Sequence, residues 1–268
     1  MANVRDVVRL INAVAPEANA ITDGYDNVGL IVGKADSEVY RVLCCIDVTE
    51  EVLREAIDSD VQMIVSHHPM IFYPINKVTD ESLLGSKIIT AIENGIAIYA
   101  SHTPLDFTVD GINDYLAGVF RLKDVEVMDK YISENEGLGR VGNLEEEVTV
   151  SALKDEVARR LDDEYVRVIG DHYDPVSRVA IINGAGGGDT AYVDMALKAG
   201  ADCLITADLK HHVAIYAKER GVTVIEPQHY TMEHVYVSRF IELLGDEAEA
   251  NGVDIELIQS EKDINPRI

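Results

Sequence analysis

The sequence is poor in basic residues, with 23 Lys and Arg against 48 Asp and Glu and a net charge of −25. So large a negative field repels nucleic-acid phosphates, and nucleic acid is therefore not expected as a partner. The magnitude of the charge favours a protein of a salt-rich cytoplasm, where concentrated electrolyte screens self-repulsion. An ordinary acidic bacterial protein is the alternative interpretation.

Long apolar runs are absent and cysteines are few. The sequence has no run of about 18 apolar residues that would span a membrane, and Met1–Arg5 lacks a signal-peptide pattern. We therefore expect a cytoplasmic protein without a membrane partner. Two of the three cysteines, Cys44 and Cys45, are adjacent in a strand-like run, which indicates buried core positions and not a disulfide framework.

Apolar runs that read as strands alternate with helical patterns, which predicts an α/β fold. The runs at 178–184, 201–206 and 222–225 mirror those at 41–47, 61–66 and 97–100. We expect two related α/β lobes, each with a mostly parallel sheet flanked by helices. The predicted parts are a first lobe over 1–125, a second over 126–228, and a C-terminal helix and strand over 229–268 that pack back on the first lobe. Residues 260–268 are polar and are predicted to be loosely held.

Histidines follow several of the predicted strands. The strand at 63–66 runs into His67 and His68, the strand at 97–100 precedes His102, and the strand at 222–225 precedes His229. Parallel sheets of this kind bind ligands beyond the carboxyl ends of their strands. These imidazoles are therefore expected to collect on one rim.

Five of the side chains near these strand exits suit a metal site. His229 and Glu233 are four residues apart and would share one face of a helix. His67 and His68 can converge only where the strand breaks, and the proline that follows them provides that break. With Asp106, these donors are imidazoles and carboxylates, which suit Zn, Mn, Fe or Co. Five ligands exceed what one open catalytic ion needs, so two ions are expected.

Other polar residues leave two interpretations open. His211 and His212 lie on a predicted helix, where they are either a general acid or base or part of the helix surface. The turn at 183–189 either binds a phosphate through free backbone N–H groups or only reverses the chain. His172 and His234 are interpreted as isolated polar residues. Three cations in or near the special turns are candidates to meet an anionic substrate: Arg140, Lys77 and Lys210.

These motifs, taken together and in this order, resemble the Nif-three-like family. Its members are also called GTP cyclohydrolase 1 type 2 homologues or dinuclear-metal-centre hexameric proteins. The resemblance covers nearly the whole chain, without the extra domain of longer members. It rests on these segments: Tyr25–Leu30 with Gly33, Ser66–Pro69, His102–Asp106, Gly111–Asp114, Thr206–Asp208 with His211 and His212, and His229 with Glu233.

The resemblance implies a toroidal homohexamer of two-lobed chains, each with two divalent ions. Matching the motifs residue by residue implies the ligands His67, His68, Asp106, His229 and Glu233, with Glu233 or Asp106 bridging. His102 would be a further ligand or a catalytic group beside them. The implied activity is hydrolysis of a nucleotide-like or phosphorylated small molecule. The alternative is a non-catalytic metal-binding assembly or a regulatory interaction protein.

Overall fold

The computed structural model describes residues 1–21, 26–130 and 132–267. The chain divides into two compact units: unit 1 comprises Met1–Leu105 and Val237–Ile268, and unit 2 comprises Asp106–Tyr236. The divisions thus fall at 105/106 and 236/237, where the sequence predicted 125/126 and 228/229. Tyr25, in the first of the family motifs, lies outside the described residues.

The strands of unit 1 form one five-stranded sheet and a short antiparallel ribbon. With elements numbered along the whole chain, the ribbon strands are β1 (Ala2–Asn3) and β3 (Glu38–Val39), and the sheet strands are β2 (Gly29–Val32), β4 (Arg41–Cys45), β5 (Met63–Ser66), β6 (Ala97–Ala100) and β13 (Glu256–Gln259). The sheet order is β13-β4-β5-β6-β2. The first four strands are parallel, and β2 runs antiparallel to β6. This arrangement places the ends of β5 and β6 side by side.

The helices of unit 1 begin at residues that cap them. They are α1 (Val4–Val14), α2 (Glu50–Asp58), α3 (Leu83–Glu93) and α10 (Val237–Asn251), and α4 (His102–Phe107) contains the division at 105/106. Asn3 forms a capping box with Asp6 at the start of α1, and the hydroxyl of Thr49 accepts from Val52 N at the start of α2. Thr49 is therefore the N-cap of α2.

The core of unit 1 is built by the parallel strands and the helices against them. Leu43, Ile64 and Ile98, one from each of three adjacent strands, are inaccessible to solvent and pack with residues of α2 and α3. Cys44 and Cys45 are buried, and burial raises the pKa of the Cys44 thiol to about 12. The expectation of unreactive core thiols is confirmed at these two positions.

The segment after β13 is held more firmly than the sequence predicted. Ser260 and Asp263 are both buried. The Asp263 carboxylate accepts hydrogen bonds from the backbone N–H groups of Ile46 and Asp47, just after β4. The prediction of a loose segment is therefore wrong for residues 260–263, because a polar side chain here satisfies backbone donors at a strand end.

Unit 2 contains a six-stranded mixed sheet. Its strands are β7 (Lys123–Asp129), β8 (Leu138–Thr149), β9 (Arg167–Ile169), β10 (Pro175–Ile181), β11 (Cys203–Ile205) and β12 (Thr223–Glu226). The order is β7-β8-β10-β11-β12-β9, with β10, β11 and β12 parallel and the remaining neighbours antiparallel. The three parallel strands are those predicted to mirror β4, β5 and β6, and the mixed α/β fold is confirmed.

The helices of unit 2 cover this sheet and extend the unit beyond its predicted bounds. They are α5 (Ile112–Val119), α6 (Val150–Leu161), α7 (Thr190–Lys198), α8 (His211–Arg220) and α9 (His229–His234). The single helix predicted within 229–268 is in fact two helices, α9 and α10. The break comes at Tyr236, which is buried and donates its hydroxyl hydrogen bond to Asp110 O within unit 2. No helix among the described residues is long and apolar enough to cross a membrane.

Candidate metal centre

Unit 1 brings three imidazoles together beyond the ends of β5 and β6. His67 and His68 continue from β5, and their backbone N–H groups donate to Cys45 O and Ile46 O. The His67 and His68 ring centroids are 4.9 Å apart, so the two side chains converge as the sequence predicted. His102 begins α4, and its ring centroid lies 5.4 Å from that of His67 and 5.8 Å from that of His68.

These three histidines form what we call the imidazole set. One ring nitrogen from each lies within 4.8 Å of the others. His67 is buried, and only 11% of the His102 side chain is exposed. Three imidazole nitrogens that converge in this way are a donor group typical of a divalent-ion site.

Aspartates orient two rings of the imidazole set. Asp47 Oδ1 lies 3.1 Å from His68 Nδ1, and Asp26 Oδ1 lies 2.6 Å from His102 Nδ1. Burial alone would raise the pKa of the Asp26 carboxyl, but hydrogen bonds from His102 and Thr103 outweigh it and hold that pKa below its usual value. An ionised carboxylate only accepts, so the proton sits on Nδ1 and the Nε2 lone pair is left for a metal.

In unit 2, α9 presents two of the predicted ligands on one face. His229 Nε2 lies 3.0 Å from Glu233 Oε1, one helical turn further on. Asp208 Oδ2 lies 2.8 Å from His229 Nδ1, so a third histidine carries a carboxylate on the same ring nitrogen. Glu233 is 2% exposed. A buried carboxylate of this kind needs a cation or several donors near it.

Asn183 links Asp106, the remaining predicted ligand, to Glu233 through hydrogen bonds. Its Nδ2 donates to Asp106 Oδ1 at 3.0 Å and to Glu233 Oε1 at 3.4 Å. Its own Oδ1 accepts from Asn113 Nδ2 at 2.8 Å, which fixes the orientation of the amide. Asp106, His229 and Glu233 form what we call the carboxylate set. Sequence analysis assigned no role to the Asn183 side chain, although its position two residues after the end of β10 was a usable signal.

The glycine-rich turn after β10 serves packing. It is a 3₁₀ helix at Gly184–Gly188, and Gly187 N donates to Ala207 O. A Cβ on Gly187 would lie 2.4 Å from the same oxygen. Gly184 has φ +61°, and a Cβ there would lie 2.6 Å from Glu233 Oε1. These contacts favour the interpretation in which the turn only reverses the chain, with Gly184 leaving space for the carboxylate set.

Arg140, which the sequence offered as a contact for an anionic substrate, has a structural role. It is 1% exposed and forms an ion pair with Asp114. Its guanidinium also donates to Gly137 O and Thr108 O. These bonds use the donors that an anion would need. Lys77, by contrast, is exposed, and Lys210 directly precedes α8.

The remaining histidines lie apart from the two donor sets. His211 and His212 are the exposed first residues of α8, and neither joins a group of converging donor atoms in the described part of the chain. His172 is exposed in a turn. His234 stacks on Tyr230 at 4.7 Å, and burial lowers its pKa. Their assignment as catalytic or isolated residues stays a prediction.

Residues 2–266 match the family described as Duf34/NIF3 (NGG1p interacting factor 3). The chain belongs to this family. A Clostridium perfringens member, the GTP cyclohydrolase 1 type 2 homolog, is 32% identical over 264 residues, which cover 98% of each chain. The family resemblance stated from the motifs is therefore confirmed.

Two solved structures have the same fold as this Duf34/NIF3 member. A Bacillus cereus protein related to NIF3 matches with a TM-score of 0.94 at 24% identity, covering 100% of this chain and 99% of that one. A Staphylococcus aureus hypothetical protein matches with a TM-score of 0.90 at 28% identity, covering 99% and 98%. Matches that span both chains indicate that the mixed α/β architecture is common to all three.

The donors of this Duf34/NIF3 chain fit a divalent metal ion. The imidazole set supplies three ring nitrogens, two of them from rings whose other nitrogen is bonded to an aspartate. The carboxylate set supplies oxygen donors, one of them on the buried Glu233. Mixed nitrogen and oxygen donors without thiolate suit a borderline ion such as zinc, iron, manganese or cobalt.

Proposed function

We propose that this chain is a metal-dependent hydrolase that acts on a nucleotide-like or phosphorylated small molecule. The observation that carries the proposal is the repeated carboxylate–imidazole pair. Asp47–His68 and Asp26–His102 in unit 1, and Asp208–His229 in unit 2, all join a carboxylate to Nδ1. Metal-ligating histidines almost always carry such a partner, because it fixes the tautomer and raises the basicity of the ligand.

The proposal assigns two divalent ions per chain to the residues that the family motif implies. His67 and His68 supply ligands from unit 1, and Asp106, His229 and Glu233 supply them from unit 2. Divalent ions in such sites lower the pKa of a bound water and neutralise negative charge that develops on the substrate.

Proton transfer is assigned to the chain's own imidazoles. His102 lies beside His67 and His68, and Asp26 holds the proton on its Nδ1. Its Nε2 is then available to accept a proton from water and to pass it to a leaving group. His211 and His212, exposed at the start of α8, are the alternative proton carriers.

The names of the relatives suggest GTP as the first substrate to test. Hydrolysis of the guanine imidazole ring adds water across a ring C–N bond, and a second water completes the release of formate. The net charge of −25 opposes capture of an anionic nucleotide, so bound cations and high salt should both favour the reaction. Failure to release formate from GTP would exclude this substrate, and a phosphoesterase assay would then test the broader class.

Metal content tests the foundation of the proposal. We would measure metal ions per chain in untagged protein purified without added metal or chelator, for the wild type, H67A and E233Q. About two transition-metal ions in the wild type and a clear loss in both variants are expected. H172A is the matched control, since His172 is exposed in a turn and should keep the metal. A wild type that holds no metal after reloading would rule out the proposed centre.

A second candidate function is a metal-containing homohexamer, toroidal as the family resemblance implies, in which the ions maintain the assembly. The observation in its favour is a group of exposed apolar side chains in the segment after His67 and His68. Tyr73, Val78 and Leu83 are 76%, 47% and 64% exposed, as expected if other copies cover them. Light scattering on E233Q separates the two functions. Loss of activity with an unchanged mass supports the hydrolase, whereas loss of the assembly supports a structural metal.

A further inference from the structure

Asp26 is the most deeply buried of the three aspartates paired with histidines. Its side chain is 0% exposed, whereas Asp47 and Asp208 are 50% and 36% exposed. It precedes β2, which pairs with β6, and so lies at the end of β6 from which His102 emerges. If a hydrogen-bond donor is lost, water can take its place at Asp47 or Asp208 more easily than at the buried Asp26.

The Asp26 carboxylate is surrounded by donors. It accepts from His102 Nδ1 at 2.6 Å, from Thr103 N at 3.3 Å, from the Thr103 hydroxyl, and from Asn27 N at 2.8 Å. Thr103 N and Asn27 N can only donate, and they contact different oxygens of the carboxylate, so an amide, which has one oxygen, could not satisfy both. The site is built for an acceptor, and this leaves His102 only one tautomer.

Asn27, the residue after Asp26, holds the segment that follows His67 and His68. Asn27 Nδ2 donates to Ile71 O at 2.6 Å, three residues beyond His68. Two consecutive residues therefore fix the segments that follow β5 and β6. Small shifts of either segment would change the separations of the three ring nitrogens.

We propose that Asp26 is a positioning residue that holds His102 in the Nδ1–H tautomer and aims its Nε2 at His67 and His68. The effect of Asp26 on metal binding rests on the proposed function, whereas its effect on the tautomer of His102 does not. Asp26 acts through His102 and has no contact with substrate in this scheme. This role explains why the Asp26 carboxylate is buried beside His102 although it is not one of the proposed metal ligands.

The first test reads the tautomer directly. Long-range ¹H–¹⁵N spectra of ¹⁵N-histidine-labelled, metal-free full-length protein at pH about 8 report which ring nitrogen carries the proton, and the His102 signal is assigned by its loss in H102Q. The wild type should show Nδ1–H. An Nε2–H tautomer in the wild type would overturn the proposal without any variant.

The second test uses D26N, with D47N as the matched control for the His102 tautomer. In D26N the amide cannot accept from all the donors, so His102 should shift toward Nε2–H, while D47N should leave the tautomer of His102 unchanged. Cobalt(II) alone, titrated by visible absorption, tests whether His102 is also a ligand, since a ligand that has lost such a partner should make cobalt bind about 10–100-fold more weakly to D26N. An unchanged tautomer in folded D26N would contradict the proposal, whereas a changed tautomer with an unchanged cobalt affinity would assign His102 to proton transfer alone.

The outcomes separate this inference from the proposed function. If the wild type binds no cobalt but shows the Nδ1–H tautomer, which D26N loses, the metal centre fails and the tautomer control by Asp26 stands. If the wild type binds cobalt and D26N behaves identically in both tests, the metal centre stands and the positioning role is excluded.

Discussion

At Gly184 the backbone has φ +61° and directly faces a predicted ligand, Glu233. We expect G184A to lose stability for two reasons. A left-handed backbone costs an alanine roughly 1–2 kcal/mol, and the new methyl group would overlap Glu233 Oε1, adding about 1–3 kcal/mol of overpacking. Because the carboxylate must move, metal content should fall as well. Urea unfolding and metal analysis of the same samples measure both effects.

Gly221 provides the control for this substitution. It has φ +73° at the end of α8, and a Cβ there would meet nothing within 4 Å. G221A should therefore show the backbone cost alone and retain the metal content of the wild type. Equal stability losses in G184A and G221A, with equal metal contents, would show that Gly184 makes no room for Glu233.

Asp263 gives a pH dependence whose sign follows from its burial. Burial raises the pKa of its carboxyl to about 6, above the ordinary 3.8. Its contribution to stability is therefore fully present below about pH 4 and is lost as the pH rises through 6. The shift corresponds to about 3 kcal/mol. The asparagine in D263N does not titrate, so its free energy of unfolding relative to the wild type should rise by up to this amount from pH 4 to pH 7.

Urea unfolding of both proteins at several pH values between 4 and 7 measures this difference. Subtracting the two curves removes the titration of all other carboxyl groups that behave alike in both proteins. A difference that stays constant across this range would show that burial does not raise the pKa of the Asp263 carboxyl.

Residue types at strand ends indicated the candidate donors, but not the groups that orient them. The partners of His68 and His229 are each 21 residues away in the chain, and the partner of His102 is 76 residues away. Spacing arguments reach across one helical turn, as for His229 and Glu233, and not across such distances. The pairs become visible only when neighbouring strands, parallel for two pairs and antiparallel for Asp26–His102, bring distant loops to one edge of a sheet.

At the scale of elements, local signals predicted the regular structure well. The strands Met63–Ser66 and Ala97–Ala100 have the predicted bounds. The break between α9 and α10 was missed because Tyr236 is fixed by a long-range bond to Asp110 O, which no helical periodicity reports. The additional antiparallel strands of unit 2, such as β9 and β7, carry weak patterns because they lie at sheet edges.

The cap of α2 gives a prediction at this scale. The Thr49 hydroxyl accepts from Val52 N at 3.1 Å, and T49A should therefore lower the free energy of unfolding by about 1 kcal/mol. T49S keeps the hydroxyl and should retain most of the stability. Thermal and urea unfolding of both variants measure the effect. Equal losses in T49A and T49S would assign the loss to the threonine methyl group and not to the cap.

For the whole molecule, the excess of acidic residues predicts a dependence on salt. Raising KCl from 0.1 to 1 M shortens the Debye length from about 10 to 3 Å, and the Tm of metal-free protein should rise by several degrees as repulsion is screened. Differential scanning calorimetry in a chelator measures this rise. Sorbitol at matched osmolality is the control for non-ionic stabilisation, and a Tm that rises equally in sorbitol or not at all would favour the ordinary acidic protein.

The position of β13 has a consequence for synthesis on the ribosome. This strand, Glu256–Gln259, pairs with β4, and the stretch that forms unit 2 lies between them in the chain. Residues 106–236 can therefore fold while one edge of β4 still has open backbone hydrogen-bonding groups. An open strand edge is a template for association with another chain. Nascent chains stalled before residue 256 should be the most prone to aggregate and the most dependent on chaperones.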